Sequence, residues 1–193
     1  MEKLVKNKNK RFLPILLGTD ANAYGMARNF HQAYGIKSLA LGKIPLLETR
    51  HSKIVQVQTY ENFDTDEVFR EVLTKIADTY RPIYDDLILI ACGDRYTELI
   101  CSHKDWLSDY FIVPYIDLEL KNRLENKEDF YNICEEYGLD YPATVMLHKD
   151  SKPPFDLPFD YPIAVKASDS IEYVDLDFPG KKKAYKANSP AEL

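Results

Sequence analysis

The stretch Leu87 to Cys92 is apolar at every position. A strand that shows no alternation of apolar and polar residues has to be covered on both faces, which is the condition of strands in a parallel sheet flanked by helices. That one segment directs attention to what surrounds it. A second run, Leu13 to Leu17, ends at Gly18, and beyond it Ala23, Met26, Ala27, Phe30 and Ala33 recur at helical spacing up to Gly35, a helix stop. Ser38 to Leu41 and Ile54 to Val57 read as short strands, Val68 to Tyr80 has helical spacing, and a helix is expected after Gly93 and Asp94. Tyr110 to Ile116 is the next strand candidate, although Pro114 weakens it or sends it to a sheet edge. Strands alternating with helices imply right-handed crossovers and a doubly wound α/β sheet.

After Asp117 the pattern changes. A helical stretch at Leu118 to Leu124 leads into Asn126-Lys127-Glu128-Asp129, then Phe130, Ile133, Cys134 and Tyr137 recur before Gly138, the pattern of a capped helix with a glycine stop. Ala143 to Leu147 and Tyr161 to Ala167 read as strands joined by a proline-containing loop. Ile171 to Phe178 and Lys181 to Lys186 flank Pro179-Gly180 as a hairpin. The expected organisation is a basic flexible N-terminus over residues 1–11, an α/β domain over 12–119 and a smaller α+β unit over 120–193. Ser189-Pro190-Ala191-Glu192 carries the signature of a helix start just before the sequence stops, so the chain is expected to be truncated; a polar tail is the alternative.

A net charge of −6 argues against a nucleic-acid surface, which needs a clustered positive excess. The basic cluster at Lys3, Lys6, Lys8, Lys10 and Arg11 reads as a solvated terminus. No segment approaches the roughly 20 apolar residues of a membrane span, and a cytoplasmic protein is expected. Cys92, Cys101 and Cys134 form no CxxC pair, and no histidine spacing suggests a metal site.

In an open parallel sheet, ligands bind outside the carboxyl ends of the strands. The residues there are Gly18 to Asn22, Thr49 to Ser52 and Cys92 to Tyr96. Asp20, Asn22 and Asp94 are good helix caps whatever they bind, and Gly18 and Gly25 do not make a dinucleotide fingerprint. Lys127 sits in a helix's first turn, where the macrodipole disfavours a cation unless an anion such as phosphate binds beside it; a plain surface lysine is the alternative. Lys166 shares a strand face with Ala164 and Ser168, opposite Ile163, Val165 and Ala167. That face has room for a ligand or is simply solvated. Lys181, Lys182 and Lys183 beside the Pro179-Gly180 turn form either a solvated hairpin or a loop that covers phosphate.

Lys127 opening a helix that runs to Tyr137-Gly138-Leu139-Asp140-Tyr141-Pro142-Ala143-Thr144, followed by Pro162-Ile163-Ala164-Val165-Lys166, resembles the first small subdomain of the ATP-grasp fold. The preceding unit is similar to the Rossmann-like pre-ATP-grasp domain. Leu17-Gly18-Thr19-Asp20, Tyr24-Gly25-Met26-Ala27-Arg28 and Ala91-Cys92-Gly93-Asp94 resemble the D-aspartate ligases of Gram-positive bacteria. The resemblance runs from about Phe12 to Lys186.

It implies an ATP-dependent carboxylate–amine ligase that forms an amide through an acyl phosphate and adds D-aspartate to a peptidoglycan precursor. Lys127 and Lys166 would hold ATP phosphates, and magnesium would bridge them. The later subdomain that supplies catalytic and magnesium-binding residues in the family has no match before Leu193, so no metal ligand is named in this chain and the chain alone is expected to be inactive. Asp20, Arg28, Arg50 and Asp94 are candidates for the amino-acid or acceptor side, because arginine forks a carboxylate and aspartate pairs with an ammonium. Two other readings stand beside this one: an ATP-grasp ligase with a different amino-acid substrate, and a flavodoxin-like binding or signalling module.

Overall fold

The computed structural model describes residues 11–168, Tyr173 and 176–193. Lys3, Lys6, Lys8 and Lys10, and Ile171, Glu172, Val174 and Asp175 of the expected strand at Ile171 to Phe178, lie outside the described residues. The chain forms two compact units, one reaching Leu118 and one beginning at Glu119.

Four parallel strands carry the first unit: β1 (Phe12–Leu17), β2 (Ser38–Gly42), β3 (Val55–Thr59) and β4 (Asp86–Ala91), side by side in the order β3-β2-β1-β4. Between and after them run α1 (Ala21–Tyr34), α2 (Leu47–Arg50), α3 (Asp66–Tyr80), α4 (Asp94–Ser102) and α5 (Lys104–Ser108). Alternation along each strand divides the core into two. Leu13, Ile15, Leu17, Leu39, Leu41, Leu87 and Leu89 pack with Phe69, Leu73 and Ile76 of α3, Leu99 of α4 and Leu107 of α5. Leu16 and Ala40 point the other way and pack with Ala23 and Ala27 of α1. Both faces of β1 are therefore dry, which is why its sequence shows no alternation.

The chain steps outward from β1 through β2 to β3, then crosses back to lay β4 against the free side of β1. This reversal of direction puts the ends of β1 and β4 next to each other, and Gly18 makes the approach possible. Its φ is +137°, and a Cβ there would stand 2.9 Å from Cys92 Cβ, closer than any side chain tolerates.

Tyr110 to Ile116 does not become a fifth strand. Ile112 forms one parallel bridge with Ile88, donating from its amide to Leu87 O at 2.7 Å and accepting from Leu89 N at 3.1 Å. The next rung would need an N–H at position 114, where proline has none.

The second unit contains α6 (Leu118–Glu125), α7 (Lys127–Glu136) and a two-stranded antiparallel pair of β5 (Ile163–Val165) and β6 (Tyr185–Ala187). Asn126 caps α7, its side-chain oxygen accepting from Glu128 N and Asp129 N at 3.0 and 3.1 Å. Gly138, at φ +62°, closes the helix as Leu139 N donates to Cys134 O at 2.8 Å. Two strand expectations are corrected here. Ala143 to Leu147 finds no partner among the described residues, and Thr144 turns its hydroxyl to Pro142 O instead. Of Lys181 to Lys186 only Tyr185 and Lys186 are in a strand, and that strand pairs with β5; among the described residues of the other expected arm, Leu176, Asp177 and Phe178 are in no strand.

Replacing Gly18 by alanine is expected to lower unfolding stability by about 1–3 kcal/mol, because the new Cβ meets both a strained φ and the Cys92 side chain. Gly93→Ala, where a Cβ meets nothing within 4 Å, should stay within about 0.5 kcal/mol. Urea unfolding followed by circular dichroism distinguishes the two.

Candidate functional site

The end of β1 runs directly into a helix cap. The Asp20 carboxylate accepts from Asn22 N and Ala23 N, both at 3.1 Å, which satisfies the first amides of α1. Asn22 then reaches sideways: its amide nitrogen donates to Cys92 O at 3.2 Å and to the other Asp20 oxygen at 3.3 Å. Because Cys92 N also donates to Leu17 O at 2.9 Å, the residues after β1 and those after β4 are tied into one rim. Burial, and after it the charge of Asp20, pushes the Cys92 thiol up to about 12.

Thr49 to Ser52 joins the same end of the sheet through two hydroxyls. Thr19 Oγ1 donates to Ile44 O at 2.7 Å, and the buried Thr49 donates to Thr19 O at 2.6 Å. These threonines clamp α2 against the start of α1.

The proposed substrate side chains fall around this rim in different ways. Asp20 is half-buried and occupied as a cap, whereas Arg28, Arg50 and Asp94 are exposed and make no ion pair with another described residue. Asp94 is not a cap. Gly93 holds that position in α4 and Asp94 is the first helical residue, while Asn22 likewise lies inside α1.

A charged cluster on the other side of the rim was not singled out from sequence. Lys43 donates to Asp64 at 2.7 Å, and this bond holds the Asp64 carboxyl below its ordinary value. Arg95 Nε donates to Asp64 O at 2.9 Å, Arg95 also pairs with Glu98 at 3.0 Å, and Asp66 accepts from His103 at 2.8 Å. Beneath them Phe63 is fully buried against Phe69 and Tyr96. Burial first, then the charge of Asp64, raises the Tyr96 hydroxyl to about 12. The rule that drew attention to the ends of β1 and β4 also covers Lys43 after β2 and Asp64 after β3, so position was the signal available.

In the second unit, exposure alternates along β5 and just past it. Ile163, Val165 and Ala167 are half-buried, while Ala164, Lys166 and Ser168 face outward. Lys127 is half-buried, and its ammonium donates to Ser168 O. The two lysines are thus brought to one short stretch of chain. The helix terminus beneath Lys127 is less open than sequence suggested. Asn126 occupies the amides of residues 128 and 129, and Glu128 and Asp129 put two carboxylates in the first turn. An anion here would meet the lysine side chains rather than the helix amides.

Tyr185 of β6 fixes the neighbouring lysine turn: its hydroxyl accepts from Lys182 N at 3.0 Å and shares a hydrogen bond with Tyr173 at 2.9 Å. Among the described residues no group of three or more His, Cys, Asp or Glu side chains is placed to hold a metal ion. None of the described helices is long and apolar enough to cross a membrane.

No protein-family model matches the chain. Over 183 residues, 92% of its length, it is 46% identical to D-aspartate ligase of Enterococcus faecium (strain Aus0004). Identity at that level over nearly the whole chain makes the two sequences homologous. The match falls on the N-terminal part of that protein, and the chain spans 44% of its length. Among solved structures the chain aligns with the ADP complex of purK, N5-carboxyaminoimidazole ribonucleotide synthetase. The TM-score is 0.45 at 13% identity, over 94% of this chain and 42% of that one.

The state of Cys92 is directly measurable. With its thiol raised to about 12, only about one molecule in ten thousand carries a thiolate at pH 8. Iodoacetamide at pH 8 should leave Cys92 unlabelled in the folded protein and alkylate it fully in denaturant, as peptide mass analysis will report.

Proposed function

We propose that this chain is the N-terminal part of an ATP-dependent carboxylate–amine ligase of the ATP-grasp type, one that adds D-aspartate to a peptidoglycan precursor. The observation that carries the reading is the 46% identity to D-aspartate ligase across 92% of the chain. The placement of Lys127 and Lys166 around the end of β5 supports it.

In this reading the reaction has two stages. A carboxylate oxygen attacks the terminal phosphorus of ATP, giving an acyl phosphate and ADP; an amine then attacks the acyl carbon, and phosphate leaves as the amide forms. Negative charge accumulates on oxygen at both stages, so the chain's contribution is positioning and charge stabilisation. Lys166 is exposed beside the small side chains of Ala164 and Ser168, and Lys186, paired with Ala164 across the two strands, adds a second cation to that face for a polyphosphate. Lys127 is held by a neutral carbonyl. An anionic phosphate oxygen is a stronger acceptor than a carbonyl and displaces it.

Asp20, Arg28, Arg50 and Asp94 remain the proposed contacts for the amino acid and the acceptor. Arg28 and Arg50 are suited to a carboxylate, and Asp94 to an ammonium. Magnesium accompanies ATP in enzymes of this type, and the described residues offer it no cage of three or more His, Cys, Asp or Glu side chains. Use of ATP places the reaction in the cytoplasm.

The test is turnover by the full-length gene product. ATP-dependent phosphate release should require D-aspartate together with an amine acceptor. Lys127→Ala and Lys166→Ala should each lower kcat/KM for ATP roughly tenfold or more, since a charge-assisted hydrogen bond contributes about 1.5–3 kcal/mol. Release that needs no amino acid would refute the ligase reading, and unchanged kinetics in both variants would refute the phosphate assignment alone.

A further inference from the structure

Charge is not spread evenly over the first unit. From Ala21 to Ile54 the sequence has five Lys or Arg and a single acid, Glu48, whereas from Tyr60 to Asp109 it has twelve Asp or Glu and five Lys or Arg. The fold turns this asymmetry along the chain into an asymmetry across the sheet. α1 packs on one face together with Ile54, and α2 is clamped beside it through Thr49 and Thr19. α3, α4 and α5 pack on the other face. One side of the sheet is basic and the other acidic, in a chain whose net charge is −6.

On the basic side Lys43 is committed to Asp64. Arg28, Lys37, Arg50 and Lys53 are exposed and make no ion pair with another described residue. Apolar side chains of the same stretch of chain are exposed as well. Leu47 is 71% exposed, Ile44 59% and Tyr24 37%. Both helices repeat one arrangement: Tyr24 lies one turn before Arg28 on α1, and Leu47 lies one turn before Arg50 on α2. Singly exposed apolar residues are ordinary. An apolar side chain paired with a cation on each of two adjacent helices is the composition of an interfacial surface, where apolar groups enter the acyl boundary and cations stay at the headgroups.

We infer that the α1–α2 side of the first unit is a peripheral contact surface for an anionic lipid bilayer. Arg28 and Arg50 lie on this surface and are also the proposed contacts for the substrate carboxylate, so the test rests on Lys37, Lys53 and Leu47, which the ligase reading does not use. Contact is weak and orientation-specific by construction. Charges farther from the bilayer than about 8–10 Å are largely screened, so attraction wins only when the basic side faces the bilayer within that distance, and the acidic side is repelled when it does. A nucleic acid would satisfy the cations but would give Leu47 and Ile44 no apolar environment, which is why lipid is the better occupant.

Co-sedimentation of the full-length protein with unilamellar vesicles tests this. Vesicles of equal parts phosphatidylglycerol and phosphatidylcholine should bind it at low salt. Pure phosphatidylcholine should bind it at least about tenfold less, and about 1 M salt should release it, where screening shortens to about 3 Å. Each surface cation contributes about fivefold in partitioning, so Lys37→Gln with Lys53→Gln should weaken binding about tenfold or more. Leu47→Ser should weaken it further. Lys75→Gln with Lys104→Gln, the same change of charge on the acidic side, should leave it unaltered. Equal loss from both lysine pairs, indifference to phosphatidylglycerol, or duplex DNA bound as tightly as vesicles with no response to Leu47→Ser would each overturn the assignment.

Discussion

Everything in the first unit is arranged around β1 being covered on both faces and paired along both edges. Leu16 and Ile15 are both fully buried, one towards α1 and the other towards α3 and α4, while β2 and β4 occupy the two edges. A strand enclosed in this way has no solvated face on which to place polar residues, so its end is the first place where chemistry is available. The chain uses that place at once. Gly18 allows β1 and β4 to end in contact, Asp20 starts a helix there, and Asn22 ties the two ends together. The rim that gathers the polar residues is thus a consequence of how tightly the core closes beneath it.

The sequence was most legible where both faces of an element are buried or where a cap defines an end. Leu13 to Leu17, Leu87 to Cys92, the helix ending at Gly35 and the helix opened by Asn126 all follow from short-range rules. Tyr110 to Ile116 and Ala143 to Leu147 were misread, because an apolar or β-branched stretch becomes a strand only if another chain segment offers it a ladder, and that offer is not local. Ile112 received one rung; Ala143 to Leu147 received none among the described residues. The short β5 succeeded because β6 lies antiparallel to it, a pairing that short-range turn signals assigned to a different partner.

Site residues show the same division. Alternation put Lys166 on the outward side with Ala164, although β5 itself ends at Val165, and the first-turn position of Lys127 was correct. What spacing did not reveal is where the Lys127 ammonium goes, since Ser168 is 41 residues away in sequence. The Lys43, Asp64 and Arg95 cluster was hidden for the same reason: its members follow three different strands and meet only once the sheet has formed.

Pro114 has a role that extends past the folded monomer. A sheet edge with a regular row of unpaired amides and carbonyls is a template onto which a strand of another molecule can be added, and such addition propagates into aggregates. On the β4 edge, the segment that covers Ile88 makes one rung and then presents a residue unable to donate the next. The edge is capped by its own chain and the cap cannot be lengthened. In the folded unit this leaves the outer edge of β4 without the regular row of free amides and carbonyls that a strand of a second molecule would need.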